Sequence, residues 1–331
     1  MERKISIGSS HFTIRPYRHQ DEDQVLALWK EAFNGDPSIP LWRWKYADGP
    51  FGSRIMVCVD DSEDRVVVMY GGVPYRTHWS GRTVEILQLM DVMSHPAYRK
   101  TGLFVKTGTA LCDLFAKNED SVLVYGFPGK FHYDIGERYL RYQELVGGVM
   151  YFSERTETLK RSQRVFGIRV GEVSSVNGEF DRLWERCRPH YPMALIRDAA
   201  FLKWRFIDHP LRDYTIFACR SRFKDKLRGY AVVGFEDNVA RLVDILIPPN
   251  QKMIGEFLGR LAETLFSRGI TRLETWLPKG HFLAQSLGEF GVRNEPEPLG
   301  IIPTAIFFER GPTHRFVSDN LFYTMADADL V

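Results

Sequence analysis

The sequence predicts an α/β protein built as two tandem lobes, and three observations carry that reading. Strand-like and helix-like periods alternate along the whole chain instead of segregating into separate halves. The 331 residues exceed the roughly 100–200 of a single domain. The two halves also share a set of residues in the same order. Trp44-Lys45-Tyr46-x-Asp48-x-Pro50 reappears as Trp204-Arg205-Phe206-x-Asp208-x-Pro210. The stretch from Asp91 to Phe104 (DVMSHPAYRKTGLF) aligns without gaps on Asp244 to Phe257 (DILIPPNQKMIGEF), and Phe127-Pro128 on Leu277-Pro278. Duplication explains this shared order better than chance.

The elements follow in turn. HFTIRPY reads as a strand ending near Pro16. DEDQVLALWKEAF places Val25, Leu28, Trp29, Ala32 and Phe33 at helical spacing, with Asp21 as its expected N-cap and Gln24 three residues on. RIMVCVD and RVVVMYGGVPYRTHW are two strands joined by a DSED turn. VEILQLMDVMS is a strand running into the loop HPAYRKTG. After Gly102 the period turns helical, with Leu103, Phe104, Thr107, Ala110, Leu111, Leu114 and Phe115 on one face. SVLVYGFP is a strand, HYDIGERYLRY a short helix, and LVGGVMYF the strand expected to close the first lobe. Residues 154–172 are polar and basic without a period and are expected to be a linker. Beyond them DYTIFAC, GYAVVGF and ARLVDILI are strands. Ile254, Phe257, Leu258, Leu261, Leu265 and Phe266 line a helix, and TRLETWLP is a strand. The expected domains are 11–153 and 173–315, followed by a tail, 316–331.

Composition excludes several functions. Lys and Arg number 44 against 42 Asp and Glu, so the net charge of 44 − 42 = +2 argues against a dedicated nucleic-acid binder. No apolar run reaches the roughly 18 residues that cross a bilayer, and the N-terminus has no signal-peptide core, so the expected location is the cytoplasm. Cys58, Cys112, Cys187 and Cys219 are dispersed among apolar neighbours and read as reduced core residues. The histidines lack HxxxH and HExxH spacing, so no metal is inferred. His95 and His132 read as structural. Neither a GxSxG elbow nor a GxxxxGK[ST] loop is present. Oligomeric state is not legible.

Chemistry concentrates between Leu87 and Phe115. A strand that ends in Arg99-Lys100-Thr101-Gly102 and opens a helix forms an anion site. The first helical N–H groups lack intrahelical partners, the helix dipole is positive there, and glycine lets a phosphate approach the backbone. An ordinary strand–helix turn with exposed basic residues is the plainer alternative.

The motif Arg-x-x-Gly-x-Phe after HPAYR resembles the pyrophosphate loop, Gln/Arg-x-x-Gly-x-Gly/Ala, of the GNAT (Gcn5-related N-acetyltransferase) superfamily. The likeness spans most of 12–152, and the nearest pattern is the bacterial tandem-GNAT type, with a mixed central sheet in each lobe. It implies an acetyl-CoA-dependent N-acetyltransferase whose first lobe is active and whose acceptor is a small-molecule amine. By resemblance Val92, Met93 and Ser94 pair with pantetheine, Arg99, Lys100, Thr101, Gly102, Leu103 and Phe104 hold the pyrophosphate, and Tyr125 and Phe127 lie beside the cofactor. Asp91 and, further up the strand, Glu85 are the candidate bases. Tyr133 is the candidate acid. Two departures stand out: Phe104 occupies the usual Gly/Ala position, and Glu137 the usual tyrosine position. The equivalent turn of the second half, Lys252-Met253-Ile254-Gly255-Glu256-Phe257, has lost its polar character, so that half is expected not to bind the cofactor. On the acceptor side, Phe33, Trp42 and Trp44 with Asp36 suit an amino sugar. A FemX-type aminoacyltransferase and a non-catalytic acyl-CoA-binding regulator are the alternatives.

Overall fold

The computed structural model describes residues 2–159 and 167–328, so part of the expected linker lies outside the described residues. The chain forms two compact units. The first comprises Met1–Arg76, Val84–Gln143 and Thr304–Pro312, and the second Thr77–Thr83, Glu144–Pro303 and Thr313–Val331.

The first unit opens with a hairpin, β1 (Arg3–Ile7) and β2 (Ser10–Pro16), of which β1 carries too little apolar pattern to be expected. Helix α1 (Glu22–Phe33) buries Val25, Leu26 and Leu28 and ends on Asn34 in the left-handed region, a usual helix stop. Asp21 does not cap it with its side chain. The carboxylate instead takes two hydrogen bonds from the Arg15 guanidinium fork, at 2.6 and 2.8 Å, and one from the Arg18 backbone N–H at 2.7 Å. A single turn, α2 (Ile39–Trp42), runs into a π-helical turn, Arg43–Ala47. Then come β3 (Arg54–Asp60), β4 (Arg65–Trp79) and β5 (Arg82–Ser94). β3 and β4 are buried along almost their whole length, as strands covered on both faces must be. Helix α3 (Leu103–Phe115), β6 (Ser121–Gly126) and α4 (Lys130–Leu140) complete this run.

After the two-residue β7 (Gln143–Glu144), the chain continues as β8 (Val149–Arg155), α5 (Thr156–Leu159) and β9 (Ile168–Val173). The stretch expected to be only a linker therefore contributes ordered elements on both sides of the residues not described. Next are α6 (Gly178–Cys187), β10 (Met193–Leu195) and α7 (Ala199–Leu202), the last continuing into a second π-helical turn, Lys203–Ile207. β11 (Tyr214–Ser221), β12 (Leu227–Glu236), β13 (Val239–Leu246), α8 (Gln251–Ser267), β14 (Arg272–Pro278), α9 (Phe282–Glu289) and β15 (Asn294–Glu295) follow. The chain finishes with β16 (Thr304–Phe307), α10 (His314–Asn320) and β17 (Leu321–Phe322).

The first unit's strands run β1-β2-β3-β4-β5-β6-β16, and the second unit's β15-β8-β14-β13-β12-β11-β9. Each run contains a parallel pair: β5 with β6, and β13 with β14. The expected boundaries at 153 and 315 do not coincide with the units. β8, expected to close the first lobe, pairs antiparallel with β14 of the second unit, while β16 pairs antiparallel with β6 of the first. The two halves of the sequence exchange a strand. The expected tail is also structured, with Leu321–Ala328 buried. All four cysteines are free and buried. Among the described residues no helix is long and apolar enough to cross a membrane.

Candidate active site

The site is built where β5 and β6 part. Glu85 to Gln88 pair with Ser121 to Tyr125, and the pairing stops there although β5 runs on to Ser94. Asp91 lies just beyond, at φ +48°, a backbone region that non-glycine residues seldom take. Its Oδ2 accepts from Lys45 Nζ at 3.0 Å and from Tyr46 OH at 2.8 Å. Both donors come from the π-helical turn, and Lys45 is only 5% exposed. Sequence reasoning had not connected these two residues to Asp91; their recurrence in the W-[KR]-[YF] repeat was the available signal. Further along β5 the Ser94 hydroxyl is buried with no hydrogen-bond partner among the described residues. Such an atom costs free energy unless something pairs with it.

The basic turn follows at once. His95 Nδ1 accepts from Ala97 N at 3.2 Å, and Tyr98 OH donates to Asp60 at 2.9 Å, tying the turn to β3. Thr101 Oγ1 donates to the Tyr98 carbonyl at 2.6 Å. Arg99 and Lys100 are exposed. Lys100 and Gly102 both have positive φ, +66° and +83°, and Gly102 is the residue from which α3 starts. A Cβ built on Gly102 would meet no atom within 4 Å. Glycine is needed there for its backbone angle, and the protein leaves the adjoining space open. Leu103 is buried, and Phe104 packs its ring 5.0 Å from Tyr70 and 5.7 Å from His132. The bulky departure from the family pattern is absorbed by this aromatic contact.

Val92, Met93, Ser94 and the 99–104 turn are thus consecutive along one edge, with Tyr125 and Phe127 at the end of the partner strand, their rings edge to face at 5.9 Å. Tyr125 OH donates to Gln88 Oε1 at 3.4 Å. Tyr133, in the first turn of α4, is 7% exposed and donates to Glu137 Oε1 at 2.8 Å, so the two residues weighed for the acid position are bonded to each other. Glu85 is not brought to this group. It stands at the start of the β5–β6 pairing, bonded by Asn118 Nδ2 at 2.8 Å, about 20 Å of extended strand from Asp91. His132 lies beside the site: its Nε2 is 3.2 Å from Tyr142 OH, which is 2.5 Å from Tyr70 OH. Burial pushes the imidazole down to about 4, so the ring is neutral near neutral pH.

Residues 13–139 match the sequence profile of the acetyltransferase (GNAT) domain. The matched segment holds β5, the basic glycine turn and α3. No curated protein matches it by sequence. Among solved structures it is similar to a probable N-acyltransferase from Enterococcus faecalis V583, with 16% identity and a TM-score of 0.70 over 90% of this chain and 73% of that one. It is also similar to a GCN5-related N-acetyltransferase from Kribbella flavida, with 15% identity and a TM-score of 0.66 over 90% and 71%. A tandem GNAT protein from the clavulanic acid biosynthesis pathway, 13% identical, aligns over 91% of this chain and 99% of its own with a TM-score of 0.58. The fold is therefore the GNAT α/β fold in tandem, and the family's acyl donor is an acyl-CoA.

Proposed function

We propose that the first unit transfers an acetyl group from acetyl-CoA to the primary amine of a small molecule. The observation that carries this reading is the juxtaposition of the parted strands with the left-handed turn at Gly102. Acetyl-CoA brings an acetyl group already activated as a thioester. The first N–H groups of α3, with Arg99 and Lys100, suit its pyrophosphate, and the β5 edge at Val92–Ser94 suits an amide-bearing arm. The orphaned Ser94 hydroxyl fits the same arm. Asp91 takes the ammonium proton on Oδ1, the oxygen that Lys45 and Tyr46 do not address. Tyr133 serves the sulfur by exchanging its bond to Glu137. That role is the least demanding, since a thiol of pKa about 8.5 leaves readily.

On the acceptor side, Trp42 is 1% exposed and belongs to the core, which removes it from the residues that suit an amino sugar. Phe33 is 49% exposed, Trp44 is half-buried, and Asp36 pairs with Lys30 at 2.7 Å on the surface. Two aromatic rings and a carboxylate in one short segment still suit the apolar face and ammonium of an amino sugar.

Two variants test the reading. Gly102→Glu places a side chain at φ +83° and a negative charge in the anion site. Calorimetry should show at least about a 100-fold loss of acetyl-CoA affinity in a folded protein, and unchanged affinity overturns the site. Asp91→Asn should lower kcat by about 10²–10⁴ with little change in the KM for acetyl-CoA. An acyl-CoA-binding regulator is the competing reading, favoured by the engagement of Tyr133 with Glu137. Acetyl-CoA consumption across amino sugars, aminoglycosides, polyamines and peptide N-termini separates the two, and acetylation of peptides alone rejects the amino-sugar class.

A further inference from the structure

A concavity of the first unit lies apart from the Gly102 turn. A cavity of about 440 Å³ is lined by Cys112, Asp113 and Ala116 of α3, by Arg141 at the end of α4, and by Phe307, Phe308, Glu309 and Arg310. Cys112 lies ten residues along the helix from Gly102, about 15 Å at 1.5 Å per residue. The volume is in the range of small-molecule sites.

The charges around this cavity are not equivalent. Asp113 is answered by Arg3 at 2.9 Å, and Arg310 donates to the Ala116 carbonyl at the end of α3. The exposed Arg141 side chain has no hydrogen bond or ion pair among the described residues, and its charge acts on the buried Cys112 thiol. The backbone at Arg141 makes the point sharper. It ends α4 in the left-handed region, at φ +62°, where glycine is the favoured residue. The chain accepts a disfavoured conformation there and presents a guanidinium to a cavity whose apolar lining is Phe307, Phe308 and Cys112.

We propose that this cavity binds a small carboxylate with an apolar body. The carboxylate engages the Arg141 fork, and the body covers the two phenylalanines. Glu309 on the rim meets an ammonium group when the ligand is an amino acid. The site makes no use of the acetyl-transfer reading and stands or falls without it.

Calorimetry on the full chain with 3-phenylpropionate and with L-phenylalanine tests the proposal. At least one should bind with a dissociation constant below about 1 mM. Tighter binding of phenylalanine assigns the ammonium to Glu309, and tighter binding of phenylpropionate assigns a simple carboxylate. Arg141→Gly should melt no lower than the parent protein, because glycine suits φ +62°, yet lose at least about tenfold in affinity. Arg141→Gln provides the same test without the backbone change. No binding of either probe at about 10 mM, retention of affinity in both variants, or preference for 2-phenylethylamine over the two carboxylates overturns the site.

Discussion

The parallel strand pairs β5–β6 and β13–β14 begin alike and end in opposite ways. Asp91 and Asp244 occupy equivalent places, but Asp91 keeps one oxygen clear of Lys45 and Tyr46, whereas Asp244 is fully buried and saturated. Arg197 and Thr324 donate to its Oδ1 at 3.0 and 2.9 Å, and Tyr230 to its Oδ2 at 2.7 Å. Where Ser94 leaves a hydroxyl unpaired, the matching Ile247 exchanges hydrogen bonds with Tyr191 OH, whose hydroxyl donates to the Ile247 carbonyl at 2.8 Å and accepts from its N–H at 3.4 Å. The stretch Leu321–Asp327 packs against β13 and β14, with Asp327 bound to Arg197 at 2.5 Å. The second unit fills its own parted strands with its own chain. The turns diverge in the same sense. Helix α8 starts earlier, at Gln251, and Asn250 Oδ1 caps it by accepting from Met253 N at 3.0 Å. Gly255, the counterpart of Gly102, is then inside the helix, where a Cβ would stand 2.6 Å from Phe290. Glu256 turns inward to Arg260 at 3.0 Å. One glycine borders open space, and the other makes room for a neighbouring ring.

The largest expected effect comes from the filled side. Arg197→Met leaves Asp244 and Asp327 buried without their cation and should cost about 3–5 kcal/mol in denaturant unfolding. A loss below about 1 kcal/mol would show that the cluster is not what closes these strands. The comparison also predicts one acetyl-CoA per chain, and two equivalent sites by titration would break it.

Acid should separate the units next. His281, its ring packed against Tyr191, Phe282 and Phe322, is pushed down to about 3 by desolvation and then by Arg197, and His132 to about 4 by desolvation. Between the ordinary histidine value near 6.5 and these values the unfolded chain takes up protons that the native chain refuses. Stability should therefore fall as pH drops through that window, by on the order of 2 kcal/mol for His281. Its Nδ1 also caps α9 by accepting from Leu283 N, so His281→Asn, which keeps a capping acceptor, should flatten the acid limb. An unchanged slope from pH 6.5 to 4 would remove the histidine from that account. The smallest contrast is between the glycines. Gly255→Ala should cost about 1–3 kcal/mol by overpacking against Phe290, and Gly102→Ala about 1 kcal/mol by backbone strain alone. Equal losses would erase the distinction.

Much of this was legible from residue patterns. The repeat Trp44-Lys45-Tyr46 and Trp204-Arg205-Phe206 marks two π-helical turns, Arg43–Ala47 and Lys203–Ile207, at the same place in each half. The helical face of α3 was readable because its apolar positions recur at 3–4 residues, and Leu103, Thr107, Ala110, Leu111 and Phe115 are buried. The basic glycine turn was readable because its chemistry is local. What a linear pattern does not carry is partner choice. The stretch containing β8 reads as a strand, but nothing in its apolar residues says that β14 will be its neighbour. The aspartate pair was seen, while the different surroundings of its two members depend on residues far away in sequence, Lys45 for one and Arg197 and Thr324 for the other. Asp21 reads as a cap by position and becomes an ion-pair acceptor because Arg15 folds beside it.

The strand exchange has a consequence for the order in which this protein can be made. A chain emerging from synthesis has produced β6 long before it has produced β16, so the edge of β6 has no partner until Thr304–Phe307 arrives. The first unit cannot close before β16 has been made. The edge must be shielded during some 180 residues of further elongation, 304 − 126 = 178 by position, a delay on the order of 10–40 s at 5–20 residues per second. Chains stopped just after α4 should be trapped with an open β6 edge and associate, and completion through β16 should release them.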